Sequence, residues 1–416
     1  MRNTIPIPET PHPWRTVSPR RTMAPLVPPP ISTSDYPPLP LLGAPSSSFS
    51  PPPLPGYIVS THVLPAAYPR TASSKWAPPP VNQTKTEQHA RAESDLQRLI
   101  TLKESQEHGT LSVPPRGEVL FNTVNCYRPT RQRSSSRPIT LLLLHGIGLH
   151  KESWEPFLSD LSKSLECGSS IFIDEIWALE LVQHGDAGLI NERDLGDIFD
   201  SSDYGRDIAN FLLSYLPDEP SRKPVGVNLS RVSEEEAAPQ RSHLITVALP
   251  SVYPAVEMPK LFSSLILVES VSIPEYMPEA LGNRRAEALC LKRQSQWNSW
   301  SNKYYRKWSP QAMGVYLKYA LSATAHGTIC LKAHPYQEAI IMVERRMPFE
   351  TWELIASISP SVRLHWIMSA NSVPQEAPTV LANLVADFLR HEYRQSSAMG
   401  PVAGTSAYAQ WQASKL

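Results

Sequence analysis

From Ile139 onward the chain alternates short apolar runs with longer stretches of helical spacing. Ile139 to Leu144 is apolar at every position except Thr140, without polar alternation. Such a run reads as a strand buried on both faces of a sheet. His145-Gly146-Ile147-Gly148 ends it with two glycines, which permit a sharp turn and a close approach of backbone to a ligand. Ser153 and Trp154 then open an amphipathic pattern at Phe157, Leu158, Leu161 and Leu165. The same logic repeats downstream. Ser170–Ile173 with Glu175–Val182, Leu261–Val271 and Val362–Met368 read as further strands, with helices over Tyr204–Tyr215 and Ala377–Tyr393. Upstream, Tyr57–Val63 reads as an edge strand, Glu87–Gln106 as a helix and Gly117–Val124 as a strand. Between Pro278 and Glu344 the pattern is helical and aromatic, through Trp297, Trp300, Tyr304, Tyr305, Trp308, Tyr316 and Tyr319, and predicts a cap over a pocket for an apolar substrate. Strands alternating with helices predict a mainly parallel, doubly wound α/β sheet.

Composition changes this picture at the ends. Seventeen of the first 56 residues are proline, in runs such as Pro28-Pro29-Pro30 and Pro51-Pro52-Pro53. Few backbone donors and little apolar area predict a disordered arm over 1–56, ahead of a domain over 57–395 that contains the cap insert at 278–344. The first 30 residues lack the continuous apolar segment of a signal peptide, and no stretch approaches transmembrane length. The 39 basic and 39 acidic side chains cancel, which argues against nucleic acid or an anionic membrane as the main partner. Cys126, Cys167, Cys290 and Cys330 are scattered without a CxxC pair, which points to free thiols and away from disulfides or zinc.

Several blocks resemble fungal α/β-hydrolases related to the yeast peroxisomal lipase and to the hydrolases of Alternaria host-selective toxin clusters. They are YIVSTHVLPAAYPRT at 57–71, LLLLHGIGLHKESWEPFL at 141–158, IWALELVQHGDAGLIN at 176–191, RVSEEEAAPQRSH at 231–243, LFSSLILVESV at 261–271 and PQEAPTVLANLVADFLRHEY at 374–393. The resemblance implies an α/β-hydrolase fold with a helical cap, no metal or organic cofactor, and an acyl ester or thioester as substrate. It places an oxyanion-binding backbone turn at His145, Gly146 and Ile147. Ser414-Lys415-Leu416, at the end of a flexible tail over 396–416, is the tripeptide read by the peroxisomal import receptor and predicts a peroxisomal location.

The catalytic residues depart from the family. Its nucleophile sits in a G-x-S-x-G elbow, and no such motif occurs here. Ser251 falls in register with the nucleophile, but Leu249 and Tyr253 stand at the two glycine positions, and Pro254 and Pro259 interrupt the helix that should follow. Glu269, at the carboxyl end of a strand, is the candidate for the acid that orients a histidine. Asn371 stands where the resemblance expects the histidine, and an amide cannot take a proton at neutral pH. His365 and His391 fit structural places, and Asp186 fits a brace for the turn after His184. An aspartate nucleophile is excluded because Leu244–Pro254 contains no acidic residue. The losses leave two explanations open, a pseudoenzyme that binds an acyl ligand or partner, or misplaced exon boundaries. Elbow geometry over 244–254 discriminates an enzyme from a binder.

Overall fold

A computed structural model describes residues 23–40, 54–71, 74–76, 83–108, 110–111, 117–130, 139–166, 171–217, 226–232, 243–274, 285–293, 296–297, 307–323, 329–368 and 373–393. Asn371, most of the aromatic stretch between 298 and 306, and the tail with Ser414, Lys415 and Leu416 lie outside them.

The elements follow in the order β1 (Tyr57–Pro65), α1 (Lys85–Glu107), β2 (Phe121–Pro129), β3 (Ile139–Leu144), α2 (Glu155–Glu166), β4 (Ile173–Glu180), α3 (Gly185–Ile190), α4 (Ser201–Ser214) and β5 (His243–Val247). Then come α5 (Val252–Glu257), β6 (Ser264–Val268), α6 (Arg285–Lys292), β7 (Gln296–Trp297), α7 (Pro310–Tyr319), β8 (Leu321–Ala323), β9 (Ile329–Leu331), α8 (Pro335–Val343), α9 (Arg346–Ile355), β10 (Arg363–Ile367), α10 (Val373–Glu376) and α11 (Pro378–Tyr393). Seven strands form one sheet in the order β1-β2-β4-β3-β5-β6-β10. The first two pairings are antiparallel and the remaining four parallel.

The apolar run at 139–144 explains the layering. Leu142 and Leu144 face one core with Trp177, Leu179 and Leu265, beneath α4, α5, α8 and α9. Leu141 and Leu143 face the other with Ile176, Ile245 and Ile266, beneath α2 and α11. Successive side chains of a strand point to opposite faces, so a strand covered on both sides has no place for polar alternation.

Three differences from the sequence reading have identifiable causes. The strand expected over 117–124 runs over Phe121–Pro129. Its Asn122 and Asn125 are buried and poor strand formers, but they donate to Glu180 O (2.8 Å) and Glu152 Oε1 (2.9 Å), so the polar pattern conceals an interior strand. The cap is not purely helical, because β7, β9 and β8 form a small antiparallel sheet between its helices. And residues 23–40, part of the proline-rich arm expected to be disordered, lie against the domain. Buried Arg206 on α4 donates to the carbonyls of Ala24 (2.9 Å), Pro25 (3.0 Å) and Pro69 (2.6 Å), and the Met23 N–H donates to Glu257 Oε1 (2.8 Å). One guanidinium with five donors can order a segment that brings mostly acceptors.

Candidate active site and its relatives

Parallel register brings the strand ends together. Leu143 of β3 sits opposite Val247 of β5, Val247 opposite Ile266 of β6, and Val268 of β6 opposite Ile367 of β10. The turns after β3, β4, β5, β6 and β10 therefore share one carboxyl edge, where open α/β sheets carry their ligands. His145–Gly148, His184, Ser251 and Glu269 all lie on that edge.

The turn after β3 is held from several sides. His145 is buried; its Nε2 accepts the Leu181 N–H (3.2 Å), so Nδ1 carries the proton and donates to Gly146 O (2.9 Å). Burial pushes its pKa down to about 4, which keeps it neutral. Gly148 has φ 78° and donates its N–H to His184 Nε2 (2.9 Å). His184 is fully buried and its pKa is driven well below the usual value by burial, then by His145. Both histidines thus brace the turn, and neither is free to act as a base.

Beside them is a buried ionic network. Lys151 Nζ meets Asp186 (2.7 Å), Glu152 (3.1 Å) and Glu180 (3.2 Å), and Lys332 Nζ meets Asp186 (2.6 Å). Burial alone would lower the Lys151 pKa, but the three carboxylates hold it well above the usual value. Asp186 braces the turn after His184, as its place in the sequence implies, but through lysines rather than its own backbone. His150 is buried with Nδ1 3.0 Å from Glu152 Oε2, under the Tyr316 and Tyr319 rings of α7. Glu155 accepts from the Tyr127 hydroxyl (3.3 Å) and is pushed up to about 7 by burial and the Glu152 charge. The only advance sign of this network was the run His150-Lys151-Glu152, which in isolation reads as a solvated helix start.

The turn after β5 is built differently. Leu249–Ser251 form a single 3₁₀ turn, and Ser251 has φ −66° and ψ −14°, the right-handed helical region. A nucleophile elbow is a strained turn that projects its serine from the sheet. Ser251 is instead 0% exposed, and its Oγ has no hydrogen-bond partner among the described residues. The residues at the missing glycine positions supply the cause. Leu249 is in the core, and Tyr253 packs on Gly205 of α4, where even a Cβ would come within 2.7 Å of the Tyr253 Cβ. The Tyr253 hydroxyl donates to Glu350 Oε2 (2.9 Å). The following helix α5 has only six residues, with Pro254 inside it.

Strain has moved one strand along. Glu269 has φ 48°, and among the described residues it alone has positive φ without being glycine. Its N–H donates to Ile367 O (2.8 Å), and its Oε1 accepts the Val373 N–H (2.8 Å), the first residue of α10. Burial raises its pKa and the Val373 bond opposes this. The Glu269 carboxylate thus anchors the chain at Val373. His365 stacks on Phe388 (4.7 Å) and His391 lies on the outer face of α11, both away from this edge.

Sequence reasoning also missed Glu338 and Arg293 of the cap. Glu338, on α8, is buried, and a Cβ on Gly148 would come within 2.9 Å of its Oε2. Arg293 pairs with its Oε1, and Cys290 Sγ lies 3.9 Å from Oε2. Nothing in the sequence spacing links positions 148, 293 and 338. Among the described residues no cluster of three His, Cys, Asp or Glu is placed to hold a metal, no helix is long and apolar enough to cross a membrane, and Cys126, Cys290 and Cys330 are free thiols.

A mainly parallel sheet with this strand order, covered on both faces and carrying its candidate residues on one carboxyl edge, defines an α/β-hydrolase fold. The solved structure of the peroxisomal alpha-beta-hydrolase Lpx1 from Saccharomyces cerevisiae shares it, with a TM-score of 0.52 and 16% identity, over 85% of this chain and 94% of that one. In sequence, the chain is 31% identical over 100 residues to the peroxisomal membrane protein LPX1 of Saccharomyces cerevisiae, 24% of this chain and 25% of that protein. It is 30% identical over 114 residues to the type I acyl-CoA thioesterase mpaH of Penicillium brevicompactum, 27% of this chain and 25% of that protein. The chain therefore matches about a quarter of the length of these curated relatives. No protein-family model matches the chain. The chain is homologous to these fungal proteins over the matched segments, which supports a hydrolase-type function.

Proposed function

We propose that this chain is a peroxisomal α/β-hydrolase-type protein that holds an acyl ester, thioester or acyl carboxylate at the carboxyl edge of its sheet without hydrolysing it. One observation carries the reading: Ser251 lies in helical backbone with its hydroxyl buried, and no base reaches it among the described residues. The Glu269 carboxylate, engaged by the Val373 N–H, adds to this. The acyl class follows from the homology to a protein named as an acyl-CoA thioesterase and suits ligands of lipid or secondary metabolism. The location is supported by the likeness to proteins named as peroxisomal. Hydrolysis is the second reading, favoured by the thioesterase's name.

The discriminating experiment incubates the purified full chain with a fluorophosphonate probe and maps the peptides, alongside assays with short p-nitrophenyl esters and palmitoyl-CoA. No adduct at Ser251 and no release of nitrophenol or thiol is the expected result. Turnover that disappears in Ser251→Ala would establish the enzyme instead. Removing residues 414–416 from a fluorescent fusion is expected to move it from peroxisomes to the cytosol.

A further inference from the structure

A cavity opens where the chain after β1, before β2 and after β4 meets. Pro65 of β1 sits opposite Phe121 of β2, and Thr123 of β2 opposite Glu180 of β4, so these three stretches share one end of the sheet. The cavity has a volume of about 40 Å³ and is walled by Arg70, Glu118, Gln183 and residues of the 194–203 stretch between α3 and α4. A water needs roughly 10–15 Å³, so the space suits a group of about three heavy atoms.

The wall is acidic. Glu118, Asp194, Asp200 and Asp203 belong to it, and Asp207 lies behind Arg70. Arg70 pairs with Asp207 (2.7 Å) and Arg206 with Asp203 (2.6 Å), while Lys75 meets Asp194 (3.0 Å) and Glu118 (3.3 Å). Five carboxylates therefore stand against three cations. Asp203 also accepts the Thr71 N–H (2.9 Å), and Asp200 accepts from Ser202 (2.7 Å) and Gln106 (3.2 Å), so both contribute field more than free acceptor capacity. Asp194 meets Lys75 through Oδ1, which leaves Oδ2 for another donor. Gln183 supplies a sign of a different kind. It is 6% exposed, and its Oε1 is buried with no hydrogen-bond partner among the described residues. An unpaired buried amide oxygen is costly, and an N–H donor entering the cavity relieves that cost. The donor should be cationic, because the wall is. A metal ion needs carboxylates that converge on one point, and among the described residues no three His, Cys, Asp or Glu do so. An ammonium group has three N–H donors and is satisfied by acceptors spread around it.

We propose that this cavity binds the ammonium group of a short primary amine, with Gln183 Oε1 and the Asp194 carboxylate accepting its N–H groups. The site is independent of any acyl ligand.

Saturation-transfer NMR on the full chain, at constant ionic strength, tests this with ethylammonium, tert-butylammonium and tetramethylammonium as separate probes. Ethylammonium is expected to saturate a single site. Tetramethylammonium has no N–H group and tert-butylammonium exceeds the space, so each should bind about tenfold more weakly. Gln183→Met keeps the length of the side chain and removes the acceptor. It should weaken ethylammonium about tenfold, the scale of one hydrogen bond to a charged group. If that variant does not fold, Asp194→Asn decides: its side chain is 40% exposed, and the change should weaken ethylammonium about threefold. Equal binding of the three cations would mean a diffuse acidic surface and would overturn the site. Ethylammonium affinity unmoved by Gln183→Met, or no saturable binding of ethylammonium to the parent, would overturn it as well.

Discussion

The turns after β3 and β5 end neighbouring parallel strands at the same level, yet they are opposites in construction. The turn at 145–148 has two glycines, two neutral buried histidines bonded to its backbone, an ionic network beside it and a cap carboxylate on top. The turn at 249–252 has no glycine, lies in ordinary helical backbone and leaves the Ser251 hydroxyl without a partner among the described residues. On the proposed reading, the turn that would receive an oxygen is held from several sides and the turn that would present a nucleophile is not. On that reading the two tasks depend on different turns, and one can be lost without the other.

The comparison breaks most directly at Lys151. Lys151→Met leaves Lys332 as the one lysine facing Glu152, Glu180 and Asp186 among the described residues, and is expected to cost about 3–5 kcal/mol in urea denaturation. A loss within about 0.5 kcal/mol, typical of a surface change, would show that the network is not what holds the first turn.

His145 provides a pH signature. Its pKa in the fold, about 4, is lowered from 6.5, so below 6.5 the unfolded chain takes up a proton that the fold refuses. Its contribution is fully present above pH 6.5 and is lost as pH falls through that value toward 4. Between those limits the parent should lose about 3 kcal/mol more stability than His145→Gln, measured by denaturation at each pH. Parallel pH profiles would mean that His145 titrates in the fold as it does in the unfolded chain.

Gly148→Ala sharpens the contact between turn and cap. A Cβ there meets both the positive φ and the Glu338 carboxylate, and the expected cost is about 1–3 kcal/mol. In a Glu338→Ala background the penalty should shrink to the backbone part alone. An unchanged penalty would locate the whole cost in φ. The smallest effect is expected at the other turn. Ser251→Ala removes a buried hydroxyl without a partner among the described residues, so stability should stay level or rise by about 1 kcal/mol. A clear destabilisation would reveal a partner for the hydroxyl.

Much of the fold was legible because local pattern and burial agree. Ile139–Leu144 came out as a strand with the expected bounds, and the alternation of its leucines between two cores is what an unbroken apolar run demands. Ser251, Glu269 and the 145–148 turn share one edge because each follows the carboxyl end of a parallel strand, and the strand order itself came from the structure. The missing glycines around Ser251 were readable as a defect, since a Cβ excludes certain backbone conformations wherever the residue lies. Outside that reach were the proline-rich stretch ordered by Arg206, the true extent of β2 and the cap carboxylate on Gly148. Each of these depends on a partner far along the chain, at separations of 182 residues for Ala24 with Arg206 and 58 for Asn122 with Glu180. The sequence by itself determined the buried strand at 139–144 and that the serine turn lacks glycines, because those properties depend on neighbouring residues and on sterics. Only the tertiary structure decided which buried charges meet and what lies over the 145–148 turn, because a polar side chain in the interior is tolerated only where a distant partner happens to be placed.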